Sequence, residues 1–160
     1  MSGEAKMRRA TPADRDGIGR LWQEMMEFHR ECDPRFFQMK PEALEVWLKH
    51  FDECLADQNQ FVLAAEANGE LVGFAMGRSS DDPLAFDRPA HGFVTNFAVT
   101  EPWRRKGVGQ RLFGALLEEF HKRGLAEIRL SVTAANPASN AFWTRMGFEA
   151  YSVSMRRSTG

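Results

Sequence analysis

One segment in the second half of the chain combines three cations with two glycines, in the order Arg104-Arg105-Lys106-Gly107-Val108-Gly109-Gln110. Glycine lets a backbone approach a ligand closely. Apolar residues at helical spacing follow, so the segment predicts a helix N-terminus, whose first amides are unpaired and attract anions. These residue types indicate a site for a pyrophosphate group.

Two familiar phosphate-binding loops do not fit this spacing. A P-loop requires Ser or Thr after Gly-Lys, whereas Lys106 precedes Gly107. A dinucleotide fingerprint requires a third glycine where Leu112 stands. Two interpretations of the loop taken alone stay open: an anion site of another type, or a basic helix start that binds nothing.

The elements around this segment would place it at the end of a sheet. A strand is predicted over His91–Val99, a helix over Gly107–Arg123 and a second strand over Ile128–Val132. This is a βαβ unit, so the two strands should be parallel neighbours joined by a right-handed crossover. Ligands of such units lie beyond the carboxyl ends of the strands, where the glycines fall.

The rest of the chain predicts further strands and helices in the order β-α-α-β-β-β-α-β-α-β. The expected elements outside the βαβ unit are a strand at Lys6–Ala10, a helix capped at Thr11 and ending near Asp33-Pro34, a helix from Pro41, a hairpin of strands Phe61–Ala67 and Leu71–Gly77 around Asn68-Gly69, a helix at Ala138–Met146 and a last strand at Phe148–Met155.

A second motif follows the βαβ unit: an asparagine at Asn136, a short helical segment with the aromatic pair Phe142-Trp143, and then Gly147-Phe148. The two motifs together resemble the GNAT superfamily of N-acetyltransferases. Val99-x4-Arg104-x2-Gly107-x-Gly109 is similar to that family's pyrophosphate-binding motif, and the Asn136 to Phe148 segment is similar to its next motif.

The resemblance implies a single domain over residues 1–160 with an α/β fold. It implies a mixed, largely antiparallel sheet with a parallel, splayed pair of central strands and helices on both faces. The implied activity is transfer of the acetyl group of acetyl-CoA to a primary amine, by direct attack in a ternary complex. The implied acceptor is a small-molecule amine or a peptide amine, and a homodimer is also implied.

The resemblance also assigns residues to coenzyme A. Strand backbone would pair with the pantetheine arm, the loop amides and cations would hold the pyrophosphate, and an asparagine and an aromatic residue would line the arm. The positions are Phe97, Ala98, Val99, Arg104, Arg105, Lys106, Gly107, Val108, Gly109, Gln110, Asn136 and Trp143.

The reaction implied by the resemblance needs two proton transfers, one to the leaving thiolate and one from the attacking amine. Many family members have a tyrosine acid where Trp143 stands, and its loss costs only about 2 kcal/mol because a thiol has a pKa near ~8.5. Deprotonating an amine of pKa ~10.4 at neutral pH costs roughly 4–5 kcal/mol, so a base or a water chain is needed. The candidates are Glu101, His91 and Glu66, and the sequence does not choose among them.

Composition narrows the other classes of function. The net charge is −1, which excludes general attraction to nucleic acid or to an anionic membrane. We expect a cytoplasmic protein with reduced thiols at Cys32 and Cys54, because no signal-peptide core is evident. The scattered histidines predict no metal site.

Two alternatives to an enzyme stay open at this stage. The first is a catalytically weak acyl-CoA-binding regulatory protein of the same fold, which the missing tyrosine at Trp143 would suit. The second, a nucleotide-binding module, is disfavoured because no magnesium-binding Ser or Thr follows the glycines.

Overall fold

A single sheet lies at the centre of the computed structural model, which describes residues 3–160. Its strands are β1 (Lys6–Arg9), β2 (Gln60–Ala67), β3 (Glu70–Ser80), β4 (His91–Val99) and β5 (Ile128–Leu130). They lie side by side in chain order; the first three pairings are antiparallel, and β4 and β5 are parallel. The predicted mixed, largely antiparallel sheet is therefore confirmed.

The helices are α1 (Arg15–Cys32), α2 (Ala43–Ala56), α3 (Val108–Lys122) and α4 (Pro137–Arg145). At the start of α1, Asp14 accepts a hydrogen bond from the Thr11 amide at 2.8 Å and pairs with Arg8 at 2.7 Å. The Arg8 hydrogen bond holds the pKa of Asp14 below its usual range. No helix among the described residues is long and apolar enough to cross a bilayer.

Helices cover both faces of the sheet, as expected. On β2 the alternate residues Phe61 and Leu63 face the core beneath α3, whereas Val62 packs with α1 and α2. Successive side chains of a strand point to opposite faces, so each face carries its own apolar core. The turn between β2 and β3 has positive φ at Asn68 (53°) and Gly69 (78°), which confirms the hairpin.

The parallel pair separates along its length. β5 pairs with only the first part of β4, from Gly92 to Val94. At Thr95 a bulge shifts the register between β4 and β3, and β4 then continues to Val99 beside β3 alone. The other edge of this half of β4 has no neighbouring strand among the described residues. The predicted splay is confirmed, and it leaves backbone groups of β4 open.

The prediction of a last strand at Phe148–Met155 is wrong. This segment forms no strand, and Tyr151, Val153 and Met155 are 69%, 80% and 93% exposed. A strand needs a backbone partner, and β5 ends at Leu130 instead of the predicted Val132. As a result β5 is an edge strand, and the splayed pair lies at one side of the described sheet, not at its centre.

Candidate active site

A cleft of about 520 Å³ opens where β4 separates from β5. Helix α1 forms one wall, and α4 with the start of α3 forms the other. The lining residues from β4 and the loop after it are Phe97, Ala98, Val99, Thr100, Arg104 and Arg105, followed by Gly107, Gly109 and Gln110 from the start of α3. The structure therefore brings both sequence motifs to one cavity.

The start of α3 presents unpaired amides to this cleft. Gly107 is the N-cap with φ +80°, a left-handed conformation that favours glycine, and no side chain caps the helix. The first backbone bond of the helix runs from the Arg111 amide to the Gly107 carbonyl, at 3.1 Å. The amides of Val108, Gly109 and Gln110 therefore have no partner within the helix. With the positive end of the helix dipole they suit a pyrophosphate.

Gly109 keeps this part of the cleft open. A Cβ atom at Gly109 would lie 3.2 Å from the Phe142 ring and 3.9 Å from the Phe97 ring. Any larger side chain would therefore have to project into the cavity or displace the aromatic wall.

The open half of β4 has backbone groups at the right spacing for an extended ligand. The Thr100 amide donates to the Val72 carbonyl at 2.9 Å, so it points towards β3. Because direction alternates along a strand, the Ala98 amide also faces β3, while those of Phe97 and Val99 face the cleft. Of the three predicted positions, these two suit pairing with an arm such as pantetheine.

The side chain of Arg104 is held by the protein itself. Its Nε donates to the Val99 carbonyl at 2.8 Å, its Nη2 lies 3.3 Å from Glu24, and its guanidinium lies 5.3 Å from the centre of the Phe28 ring. Arg104 thus ties the loop to α1. The charge predicted for a pyrophosphate is left to the exposed Arg105 and Lys106, and Lys106 lies against Trp103.

Asn136 is buried beside the cleft and caps α4. Its Oδ1 accepts a hydrogen bond from the Ser139 amide at 3.1 Å, and its backbone carbonyl accepts one from Asn140 at 2.7 Å. The side-chain oxygen accepts this one bond, and the amide NH₂ group of Asn136 donates no hydrogen bond among the described residues, so it remains for a ligand. Capping and ligand binding are compatible at this residue.

Trp143 lines the cleft but belongs to an aromatic core. It is 7% exposed, and its ring centre lies 4.9 Å from that of Phe97, 5.7 Å from that of Phe113 and 5.2 Å from that of Phe148. An indole is not an acid at physiological pH, so this position supplies shape and no proton. The lone tyrosine, Tyr151, lies on Arg129 and does not line the cleft.

The predicted bases do not line the cleft. His91 is buried at the opposite end of β4 from Val99, roughly 25 Å along the strand. Glu101 is exposed on a 3-10 turn, and only its backbone amide bonds to Glu24. Glu66 pairs with Arg8 at 2.7 Å. The structure separates these three carboxyl and imidazole groups from the cavity.

Three titratable side chains that the sequence did not indicate as functional also line the cleft: Glu24 and His29 of α1, which could accept a proton, and Arg145 of α4. The helical spacing of His29 along α1 was visible in the sequence, because His29 continues the apolar stripe that includes Leu21 and Met25. That pattern predicts a buried face and does not indicate which cavity the face meets. Among residues 3–160 no cluster of three or more metal-ligating side chains is present.

Comparison with known proteins connects this cleft to a family. Residues 22–148 match the model of the acetyltransferase (GNAT) family. The chain is 32% identical over 81 residues to the [ribosomal protein bS18]-alanine N-acetyltransferase of Escherichia coli K12, a match over 51% of this chain and 49% of that protein. The chain thus spans about half the length of this relative.

Solved structures share the whole fold. A mutant of the BH1408 protein from Bacillus halodurans superposes with a TM-score of 0.86 at 19% identity, over 96% of this chain and 98% of that one. The aminoglycoside N-acetyltransferase AAC(6')-Iy, in complex with CoA, gives 0.77 at 18% identity over 100% and 98%. With the family model matching most of the chain, from within α1 to just beyond α4, this protein belongs to the acetyltransferase (GNAT) family.

Proposed function

We propose that this chain is an acetyl-CoA-dependent N-acetyltransferase that acetylates a primary amine by direct attack in a ternary complex. The observation that carries the proposal is the uncapped start of α3, with Gly107 at φ +80°, at the mouth of the gap between β4 and β5. Coenzyme A has a pyrophosphate, which suits the helix start, and an extended pantetheine arm, which suits the open backbone at Phe97 and Val99.

In this proposal backbone amides make most of the contacts to the cofactor and to the thioester oxygen. The amides of Val108, Gly109 and Gln110 bind the pyrophosphate. An amide of the open half of β4 donates to the thioester oxygen and stabilises the negative charge that develops there. The amine nitrogen forms a bond to the carbonyl carbon, the carbon–sulfur bond breaks, and the thiolate leaves without a side-chain acid because Trp143 occupies that position.

The acceptor is proposed as a class. The relatives are named for acetylating an alanine of a ribosomal protein and for acetylating aminoglycosides, so the shared acceptor chemistry is an amine. For this chain we propose a small-molecule or peptide primary amine, reached from the α1 side of the cleft. We also place the protein in the cytoplasm, where thiols stay reduced, because Cys32 and Cys54 are both free.

Titration with acetyl-CoA and turnover with a panel of amines test this function. We expect calorimetry to show one acetyl-CoA site per chain and no comparable affinity for ATP, and free thiol to be released with at least one amine. Acetyl-CoA binding with no turnover on any amine would support the alternative, a CoA-binding regulatory protein of the same fold. Absence of acetyl-CoA binding would contradict both.

We also propose that the protein is a homodimer in which the C-terminal segment pairs with a second copy. Tyr151, Val153 and Met155 alternate with polar residues, the pattern of a half-buried strand. Yet these side chains are exposed in the single chain. Burying Val153 and Met155 would stabilise an interface by about 1.5–3 kcal/mol each, so a second copy that covers this segment would gain stability from it.

A double substitution, Val153→Asp with Met155→Asp, tests the dimer. Sedimentation should show a dimer for the native protein and a monomer for the variant, because charged side chains oppose burial in an interface. Leu84→Asp is the matched control, since Leu84 is fully exposed in the loop between β3 and β4. A native protein that sediments as a monomer at micromolar concentration would refute the proposal.

A further inference from the structure

The side chains that line the cleft restrict where the amine proton can go. The titratable residues among them are Glu24, His29, Arg104, Arg105 and Arg145. Arginine stays protonated in proteins and cannot accept a proton. Glu24 and His29 are therefore the only protein bases among the described lining residues.

Glu24 is already used as a clamp. Its Oε1 accepts hydrogen bonds from the Glu101 amide at 2.9 Å and from Arg104 at 3.3 Å. Its Oε2 accepts one from the Thr100 hydroxyl at 2.8 Å. Both carboxylate oxygens are therefore engaged by donors of the segment that leads to α3, so Glu24 positions that segment and does not face an acceptor with a free oxygen.

His29 differs from Glu24 because one of its two ring nitrogens has no hydrogen-bond partner among the described residues. Its Nδ1 lies 2.7 Å from the Met25 carbonyl oxygen. A carbonyl only accepts hydrogen bonds, so Nδ1 carries the hydrogen and the neutral ring has its lone pair on Nε2. The Phe37 ring, with its centre 4.9 Å away, restrains the imidazole.

The charges around His29 come from several elements. Glu24 lies five residues earlier on α1, and Arg104, Arg105 and Arg145 face the cleft from the loop and α4. At the end of α1, Asp33 is neutralised by Arg156 at 2.9 Å. Within this set each carboxylate near the ring is already paired with a donor or a cation of the protein, so none of them is seen to bond to the imidazole.

We propose that His29 is the general base of the reaction, a role that rests on the proposed acetyltransferase activity. Nε2 takes a proton from the ammonium group of the acceptor, which gives a neutral amine and an imidazolium. The amine lone pair forms the carbon–nitrogen bond, and the carbon–sulfur electrons leave on the thiolate. The nitrogen loses its second proton to water, and the imidazolium returns its proton to the solvent, so charge and atoms balance.

His29→Gln tests the base, with His121→Gln as the matched control because His121 is exposed on α3 and does not line the cleft. We expect kcat at pH 7 to fall about a hundredfold in His29→Gln, within the range for loss of a general base. The affinity for acetyl-CoA should stay unchanged, and the control should match the native protein.

The pH profile separates a base from a structural role. In the native protein kcat/KM should rise to a plateau near neutrality, and in His29→Gln it should keep rising into the alkaline range as the free amine itself deprotonates. A native profile and rate in His29→Gln would overturn the assignment. A native protein that binds acetyl-CoA but acetylates no amine would instead overturn the proposed function itself.

Nitrogen NMR of the imidazole in the native protein is an independent readout that needs no variant. We expect the neutral ring of His29 to be the tautomer with hydrogen on Nδ1 and a lone pair on Nε2. The opposite tautomer would leave no acceptor nitrogen for the amine proton and would overturn the proposal.

Discussion

Gly109→Trp is expected to abolish binding of coenzyme A while the protein stays folded. The Cβ atom at this position would already lie 3.2 Å from the Phe142 ring, so the indole must extend into the cleft. There it would occupy the space beside the amides of α3 that we assign to the pyrophosphate. We expect the dissociation constant for acetyl-CoA to rise at least about a thousandfold, or about 4 kcal/mol, by calorimetry.

Gly114→Trp is the matched control for this experiment. Gly114 lies on the same helix, and a Cβ atom there would meet nothing within 4 Å. The two variants introduce the same side chain on the same helix, but only one of them blocks the cleft. Native affinity in a folded Gly109→Trp protein would show that the pyrophosphate does not bind at the start of α3.

Phe120→Ala is expected to destabilise the fold by about 3–5 kcal/mol, the usual cost of deleting a buried phenyl ring. Phe120 is fully buried, and its ring centre lies 5.1 Å from that of Phe61 in an edge-to-face contact. Two strand glycines make room for it, because a Cβ atom at Gly77 or Gly92 would come within 2.8 Å or 2.6 Å of the ring. The surrounding backbone has little freedom to close the cavity.

Urea unfolding monitored by circular dichroism measures this loss, with Phe86→Ala as the control. Phe86 is 51% exposed and contacts Arg88, so its removal should change stability by less than about 1 kcal/mol. If Phe120→Ala lost no more than Phe86→Ala, the packing of α3 on the sheet would not be what holds the cleft-forming helix in place.

Glu24 joins the two sides of the cleft. The carboxylate bonds to Thr100 and Glu101 at the end of β4 and to Arg104 in the following loop. Through it α1, which contributes His29, is tied to the loop before the start of α3. The wall proposed for the cofactor and the wall proposed for the acceptor are therefore coupled by side chains distant in sequence.

Local features were predictable because they depend on neighbouring residues. A helix start needs only a few consecutive residues, so the glycines at 107 and 109 could be placed at the N-terminus of α3 directly from the sequence. The turn at Asn68 and Gly69 followed for the same reason, since positive φ at two successive positions restricts the residue types. The alternation of β2 likewise indicated two faces of one sheet.

The proton-transfer groups could not be chosen in this way, because their positions depend on packing between distant segments. His91 begins the same strand that Val99 ends, so a strand prediction contains both but says nothing about which end meets α1. In the sequence His29 is one more residue in the apolar stripe of α1. Only the packing of α1 beside β4 brings it to the cleft.

The strand predicted at Phe148–Met155 also depended on a tertiary contact that the local pattern does not reveal. The alternation at Tyr151, Val153 and Met155 is a strand pattern, but strand formation also requires a backbone partner. β5 stops at Leu130 and provides none for this segment among residues 3–160. The sequence by itself thus predicted the family and the layered architecture, and it located the two glycines at the start of α3. Tertiary structure alone decided which side chains share the cleft and that the segment after α4 forms no strand, because those outcomes depend on contacts between residues far apart in the chain.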